Sequence, residues 1–182
     1  MPSPDDRPTF AVDAMLGRLA KALRMLGYDT HYDSDVSDSD LKLLAVREGR
    51  IVLTRDREIA ETGLPLRVLL VESDHPDEQL RQVVGALSLD VRSSLFTRCL
   101  VCNTLVEDAP RDEVEGRVPP YVLSTQERFA RCPGCGRIYW AATHVAAARR
   151  WLDGIFGGGG GDRSDGREPL PRRGPTGRRG PQ

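Results

Sequence analysis

Phe10-Ala11-Val12-Asp13-Ala14-Met15-Leu16-Gly17-Arg18-Leu19-Ala20-Lys21-Ala22-Leu23-Arg24-Met25-Leu26-Gly27 changes period partway along, and that change decides the fold. Three consecutive apolar residues ending at an acid read as a short buried strand. Leu16, Leu19, Ala20, Leu23 and Leu26 then recur at helical spacing. Gly27 is placed to end the helix, because glycine takes the left-handed backbone of a helix C-terminus without a steric cost. Outward from this unit, Tyr28–Tyr32 reads as a second strand. Ser37-Asp38-Ser39 offers caps to a helix whose buried stripe is Leu41, Leu44 and Ala45, with Gly49 closing it. Ile51-Val52-Leu53 is a short buried strand running into Thr54-Arg55-Asp56. Residues 57–62 fit a short helix, Arg67–Val71 another strand, and Leu80, Val83, Val84 and Leu87 the next helix. Strands alternating with helices predict an α/β domain with a parallel sheet covered on both faces. Pattern does not supply the strand order.

Beyond this region the cysteines take over. Cys99-Leu-Val-Cys102 and Cys132-Pro-Gly-Cys135 are two matched pairs with no cysteine left over, the spacing of a four-thiolate zinc site. The rival, a redox dithiol, usually opens a helix after a strand. Here Gly136-Arg137-Ile138-Tyr139-Trp140 follows Cys135 and reads as a strand. A closed site of four sulfurs leaves no position for substrate, so this zinc is expected to hold shape, and the catalytic question moves upstream. The metal module is predicted from about Ser94 to Trp140, with Thr143 capping a terminal helix through Leu152.

The chain has 182 residues and a formal net charge of −1, unevenly spread. From Gly157 onward six arginines face three acids, a net +3, which leaves −4 for the rest. Five glycines followed by Arg, Pro and Gly cannot bury enough apolar surface to fold. No apolar run approaches the roughly 18 residues needed to cross a membrane. The acidic, Pro-rich start lacks the features of a signal peptide. With reduced, metal-bound thiols, these features predict a cytoplasmic protein without a membrane partner.

Ligands of an open parallel sheet collect at the carboxyl ends of its strands. Asp13 follows the first strand and Asp56 the third, while Asp38 begins a helix on the same side and Glu58 lies two residues beyond Asp56. Clustered carboxylates repel unless a divalent cation is present, and an all-oxygen set favours Mg²⁺ or Mn²⁺. Each acid also has a structural reading. Asp38 and Asp56 are ordinary helix caps, and Glu58 an exposed helix residue. Asp13 is the hardest to dismiss, because a buried strand end is a costly place for an unpaired acid.

Val12-Asp13-Ala14-Met15-Leu16-Gly17-Arg18-Leu19-Ala20, Leu23-Arg24-Met25-Leu26-Gly27-Tyr28-Asp29 and Leu53-Thr54-Arg55-Asp56-Arg57-Glu58 closely resemble the Mut7-C RNase domain family. So do Arg98-Cys99-Leu100-Val101-Cys102-Asn103, Arg117-Val118-Pro119-Pro120-Tyr121 and the run from Arg131 to Trp140. The resemblance covers about residues 9 to 153. It implies a PIN-like three-layer domain with a parallel sheet over 9–93, then a zinc ribbon and terminal helix over 94–153. A disordered Gly/Arg/Pro-rich tail is expected over 154–182. By the same resemblance, Asp13, Asp38 and Asp56 bind catalytic Mg²⁺ or Mn²⁺, Glu58 is a fourth catalytic acid, and Asp40 substitutes for Asp38 if the register shifts by two. Some relatives carry a ubiquitin-like domain before this region, where this chain has nine residues.

Two functions follow. The first is a metal-dependent ribonuclease acting on single-stranded or structured RNA. Arg18, Lys21 and Arg24 on the first helix, Arg55 and Arg57 beside Asp56, and Arg137 in the ribbon would receive the nucleic acid. Tyr139 and Trp140 would offer stacking faces, unless Trp140 is ordinary packing. The second is a non-catalytic RNA- or protein-binding adaptor that docks through the ribbon; it has no reason to keep all three acids. The net acidity of the folded part argues against broad RNA affinity in either case.

Overall fold

The computed structural model describes residues 7–61, 63–140 and 143–157. β1 (Phe10–Val12) is wholly buried, so three residues suffice for a strand. A 3-10 turn (Ala14–Leu16) follows, with Asp13 as its N-cap, and leads into α1 (Gly17–Met25). Gly27, at φ 86°, ends this helix. A Cβ there would collide with the Ser94 carbonyl, so both its backbone angle and its neighbour demand glycine.

β2 (Thr30–Tyr32) is shorter than the predicted strand. α2 (Asp38–Glu48) is capped by Ser37, whose hydroxyl accepts from the Asp40 N–H at 3.1 Å, and closed by Gly49. β3 (Ile51–Thr54), α3 (Arg57–Ala60), β4 (Val68–Leu70) and α4 (Pro76–Leu87) complete the unit. All strand pairings are parallel and the order is β2-β1-β3-β4.

The sheet is covered on both faces. Ala11 and Val52 meet Leu41 and Ala45 of α2 and Ile59 of α3. Alternation turns Phe10 and Val12 the other way, toward the side where α1 packs against α4. Leu19, Leu23, Leu80 and Val83 on those helices have no exposed surface. Truncating one of these leucines to alanine costs about 2–5 kcal/mol.

A second, antiparallel sheet follows: β5 (Glu107–Ala109), β6 (Phe129–Arg131) and β7 (Ile138–Trp140), in that order. α5 (Arg111–Val114) and α6 (Pro120–Thr125) fill the excursion between β5 and β6. Ala109, Val114, Val118, Val122 and Phe129 form its core, and Ile138 and Trp140 pack against them. Trp140 is therefore half-buried packing against this core.

Both sheets and α1–α6 lie in one compact unit, while α7 (Thr143–Phe156) belongs to another. α7 runs beyond Leu152 through residues 154–156, which were expected to open the tail. The capping role expected of Thr143 falls on a side chain outside the described residues, as does the tail from residue 158. Among the described residues, no helix is long and apolar enough to cross a membrane.

Candidate functional site

The carboxyl edge of the parallel sheet gathers acids because each strand ends there and passes into a polar turn. Asp13 follows β1 with only 8% of its surface exposed. Its Oδ2 accepts from the Thr54 hydroxyl at 2.6 Å and its Oδ1 from the Met15 N–H at 3.4 Å. Neither partner is a cation. Thr54, wholly buried at the end of β3, uses the same oxygen to accept the Asp56 N–H at 2.9 Å. One hydroxyl thus links the two acid-bearing strand ends. Asp56 caps α3, its Oδ1 accepting from the Glu58 N–H at 2.7 Å.

The other expected acids stand further out. Asp38 and Asp40 are exposed in the first turn of α2, where Asp40 Oδ2 accepts from the Ser37 hydroxyl at 2.7 Å. Glu58 is exposed on α3. The carboxylates of Asp13, Asp38 and Asp56 do not all come within 4.8 Å of one another; among the described residues, only the four cysteines do so. The acids share an edge of the sheet, not one ion-sized cage. Mg²⁺ commonly takes one or two carboxylates and fills its remaining positions with water and substrate phosphate. The oxygen chemistry of Asp13 with Asp56 fits such an ion, and a three-carboxylate cage is not preformed.

A cleft of about 440 Å³ begins one residue past Asp13, lined by Met15, Arg18, Lys21, Tyr32, Asp74 and Gln79 among others. Met15 is 61% exposed there, unusual for an apolar side chain beside a buried acid. Tyr32 donates from its hydroxyl to the Ala14 carbonyl at 3.0 Å. Asp74, in the turn after β4, pairs with Arg55. Asp74 is absent from the acids that the sequence pattern picks out, and its place after a parallel strand is the signal for it.

The predicted cations divide. Arg18, Lys21, Arg57 and Arg137 are exposed, and the first two line the cleft. Arg24 is a correction: it is 4% exposed and faces inward. Its Nε donates to the Thr30 carbonyl at 3.0 Å, and its Nη1 to Leu100 and Val101 carbonyls at 3.3 and 2.8 Å. Burial lowers its pKa, although the Cys99 and Cys102 sulfurs and Asp29 nearby favour the charged form. Tyr139, expected at the RNA, is turned to the cysteines, its hydroxyl 3.0 Å from Cys99 Sγ. Burial, then the same sulfur, raises its pKa.

The four cysteines form the second centre. All their sulfurs lie within 4.8 Å of one another, with Cys99–Cys135 at 3.6 Å and Cys102–Cys132 at 3.3 Å. A disulfide needs about 2.05 Å. Four sulfurs about 2.3 Å from a central zinc stand roughly 3.8 Å apart, so the cluster is compatible with that ion. The two knuckles are built alike. The N–H groups of Cys102 and Cys135 reach back to Cys99 and Cys132 sulfurs at 3.5 and 3.4 Å. Each knuckle then leaves through a left-handed residue, Asn103 at φ 69° and Gly136 at φ 71°. Burial opposes ionisation at Cys102, but hydrogen bonds with Thr104 outweigh it and bring the thiol down to about 6. Burial and the neighbouring sulfurs push Cys135 up to about 12. A cation entering this set displaces the remaining protons.

No curated protein and no solved structure matches the chain. The family model described as Mut7-C RNAse domain matches residues 8–152, across both the acid-bearing edge and the cysteine cluster. The family name points to ribonuclease activity. On a match of that extent, the chain belongs to the Mut7-C RNAse domain family.

Proposed function

We propose that the protein is a divalent-metal-dependent ribonuclease of PIN-like architecture, cutting RNA at the carboxyl edge of its parallel sheet. The observation that carries this reading is the buried Asp13 carboxylate, oriented by the Thr54 hydroxyl that also holds the turn bearing Asp56. Asp13 and Asp56 would hold a hard ion, with Asp38 reaching in from the start of α2. When bound, that ion would polarise the phosphodiester and lower the pKa of the attacking water. The chain's own residues do the rest. Arg18 and Lys21 receive the phosphates of a strand lying in the cleft, and Met15 gives its bases an apolar contact. Thr54 fixes the Asp13 carboxylate before substrate arrives, so that little reorganisation is left to the reaction. The cysteine cluster would hold a structural Zn²⁺.

Cleavage of labelled single-stranded RNA with Mn²⁺, with and without EDTA, tests the reading. EDTA abolishes cleavage, and Asp13→Asn lowers kcat at least about a hundredfold. Full turnover by Asp13→Asn moves the active site elsewhere.

A further inference from the structure

β2 lies at the outer edge of the parallel sheet. N–H and C=O groups of one strand residue point to the same side, and those of an edge strand are left without a neighbour on alternate residues. Thr30 is such a residue: the flanking Asp29 carbonyl accepts from the Phe10 N–H of β1 at 2.8 Å, so Thr30 faces outward. Yet Thr30 has no exposed surface. Its N–H donates to the Asn103 Oδ1 at 3.0 Å, and its carbonyl accepts from Arg24 Nε at 3.0 Å. Asn103 directly follows Cys102, and Arg24 grips the Leu100 and Val101 carbonyls inside the same knuckle. The Asn103 amide also donates to Asp29 Oδ1 at 2.9 Å, and its own carbonyl accepts from Arg98 at 2.9 Å. Both free backbone groups of the edge residue are therefore completed through the first cysteine knuckle.

β2 leads straight to the candidate site. Its last residue, Tyr32, holds the Ala14 carbonyl next to Asp13 and lines the cleft. We propose that the metal-organised knuckle Cys99–Asn103 acts as a substitute neighbour strand for β2. Asn103 and Arg24 are then positioning residues that couple occupancy of the cysteine site to the order of the catalytic edge. The inference rests on reading the cysteine cluster as a metal site, and its readout is strand protection, not cleavage.

Native-state hydrogen exchange, read by NMR on the full zinc-loaded chain, tests it. Asn103→Gly keeps the left-handed backbone and removes only the side chain. The variant retains one zinc per chain, and the visible spectrum of its Co²⁺-substituted form stays that of a four-sulfur site. Its Thr30 amide nevertheless exchanges roughly tenfold faster, while Val52 in the central strand β3 is unchanged. Chelating zinc from the wild-type protein raises Thr30 exchange to at least the same degree. Thr30 protection equal to wild type in loaded Asn103→Gly overturns the proposal, and so does protection that survives chelation. Arg24→Lys provides a second arm. It keeps the charge but has no second donor branch for the knuckle carbonyls, and Thr30 exchange rises with zinc content unaltered. Unchanged exchange in this variant refutes the role of Arg24.

Discussion

The Thr54 hydroxyl donates to Asp13 Oδ2 at 2.6 Å across a separation of 41 residues. The contact exists because β1 and β3 pair in parallel, with Val12 opposite Leu53, so the residue following each strand's last apolar position meets the other at the sheet edge. It makes a threonine as consequential as the acid it serves.

Thr54→Val keeps the shape of the side chain but leaves Asp13 Oδ2 and the Asp56 N–H without their partner. Stability falls by about 1–3 kcal/mol, the cost of buried groups left unpaired. Cleavage falls with it, and Thr54→Ser recovers both. Urea unfolding midpoints and initial rates on labelled RNA check this; wild-type stability in the valine variant would falsify it.

The cations of α1 are expected to separate by role. Arg18→Ala and Lys21→Ala raise KM for RNA, leave kcat nearly unchanged and flatten the salt dependence of binding, as loss of phosphate contacts requires. Arg24→Ala instead destabilises the fold by on the order of 3 kcal/mol, because three backbone carbonyls lose a charged donor. Thermal melts beside steady-state kinetics distinguish the two classes.

Acid sensitivity is expected from Asp29. Burial pushes its carboxyl up, but hydrogen bonds from Arg50 at 2.5 Å and Asn103 outweigh that and hold it below the usual 3.8. A depressed carboxyl contributes stability that is present above the unfolded value and lost as pH falls through the folded one. Melting temperature should therefore drop as pH goes below about 3.8, and Asp29→Asn should flatten that limb of the profile.

Removing a cysteine tests the second centre. Cys132→Ser should lower metal content below one ion per chain and destabilise the antiparallel sheet, since ligand binding energy is folding energy in such modules. Metal analysis with a thermal melt is enough. Full occupancy without the Cys132 sulfur contradicts the four-thiolate assignment.

Much of this was readable from the chain, for reasons that differ by feature. Strand and helix order along residues 10–87 followed from hydrophobic period, and Asp13 and the cysteines from position and spacing. Strand order was not readable, because the β1–β3 pairing joins segments about forty residues apart and no local pattern encodes it. Sequence spacing groups Arg24 with Arg18 and Lys21 on one polar helix face, and the structure separates them. Six helical residues turn the chain so that Arg18 and Arg24 stand about 120° apart, and Arg24 instead shares the buried side with Ala20. Asn103 carries a sequence signal of its own: it occupies the place after a second cysteine that Gly136 fills in the other knuckle, the mark of a left-handed backbone. Distance between the acids could not be judged either. Helix starts place Asp38 and Asp40 on the right side of the sheet, but only packing sets how far in they reach.

The arrangement at Thr30 has a cellular corollary. A newly made polypeptide short of zinc would present an open outer strand with an unmet amide and carbonyl at Thr30, the kind of template along which other chains add. Scarcity of the metal would then be felt as self-association together with a loosened catalytic edge, so the soluble yield of the protein should track zinc supply.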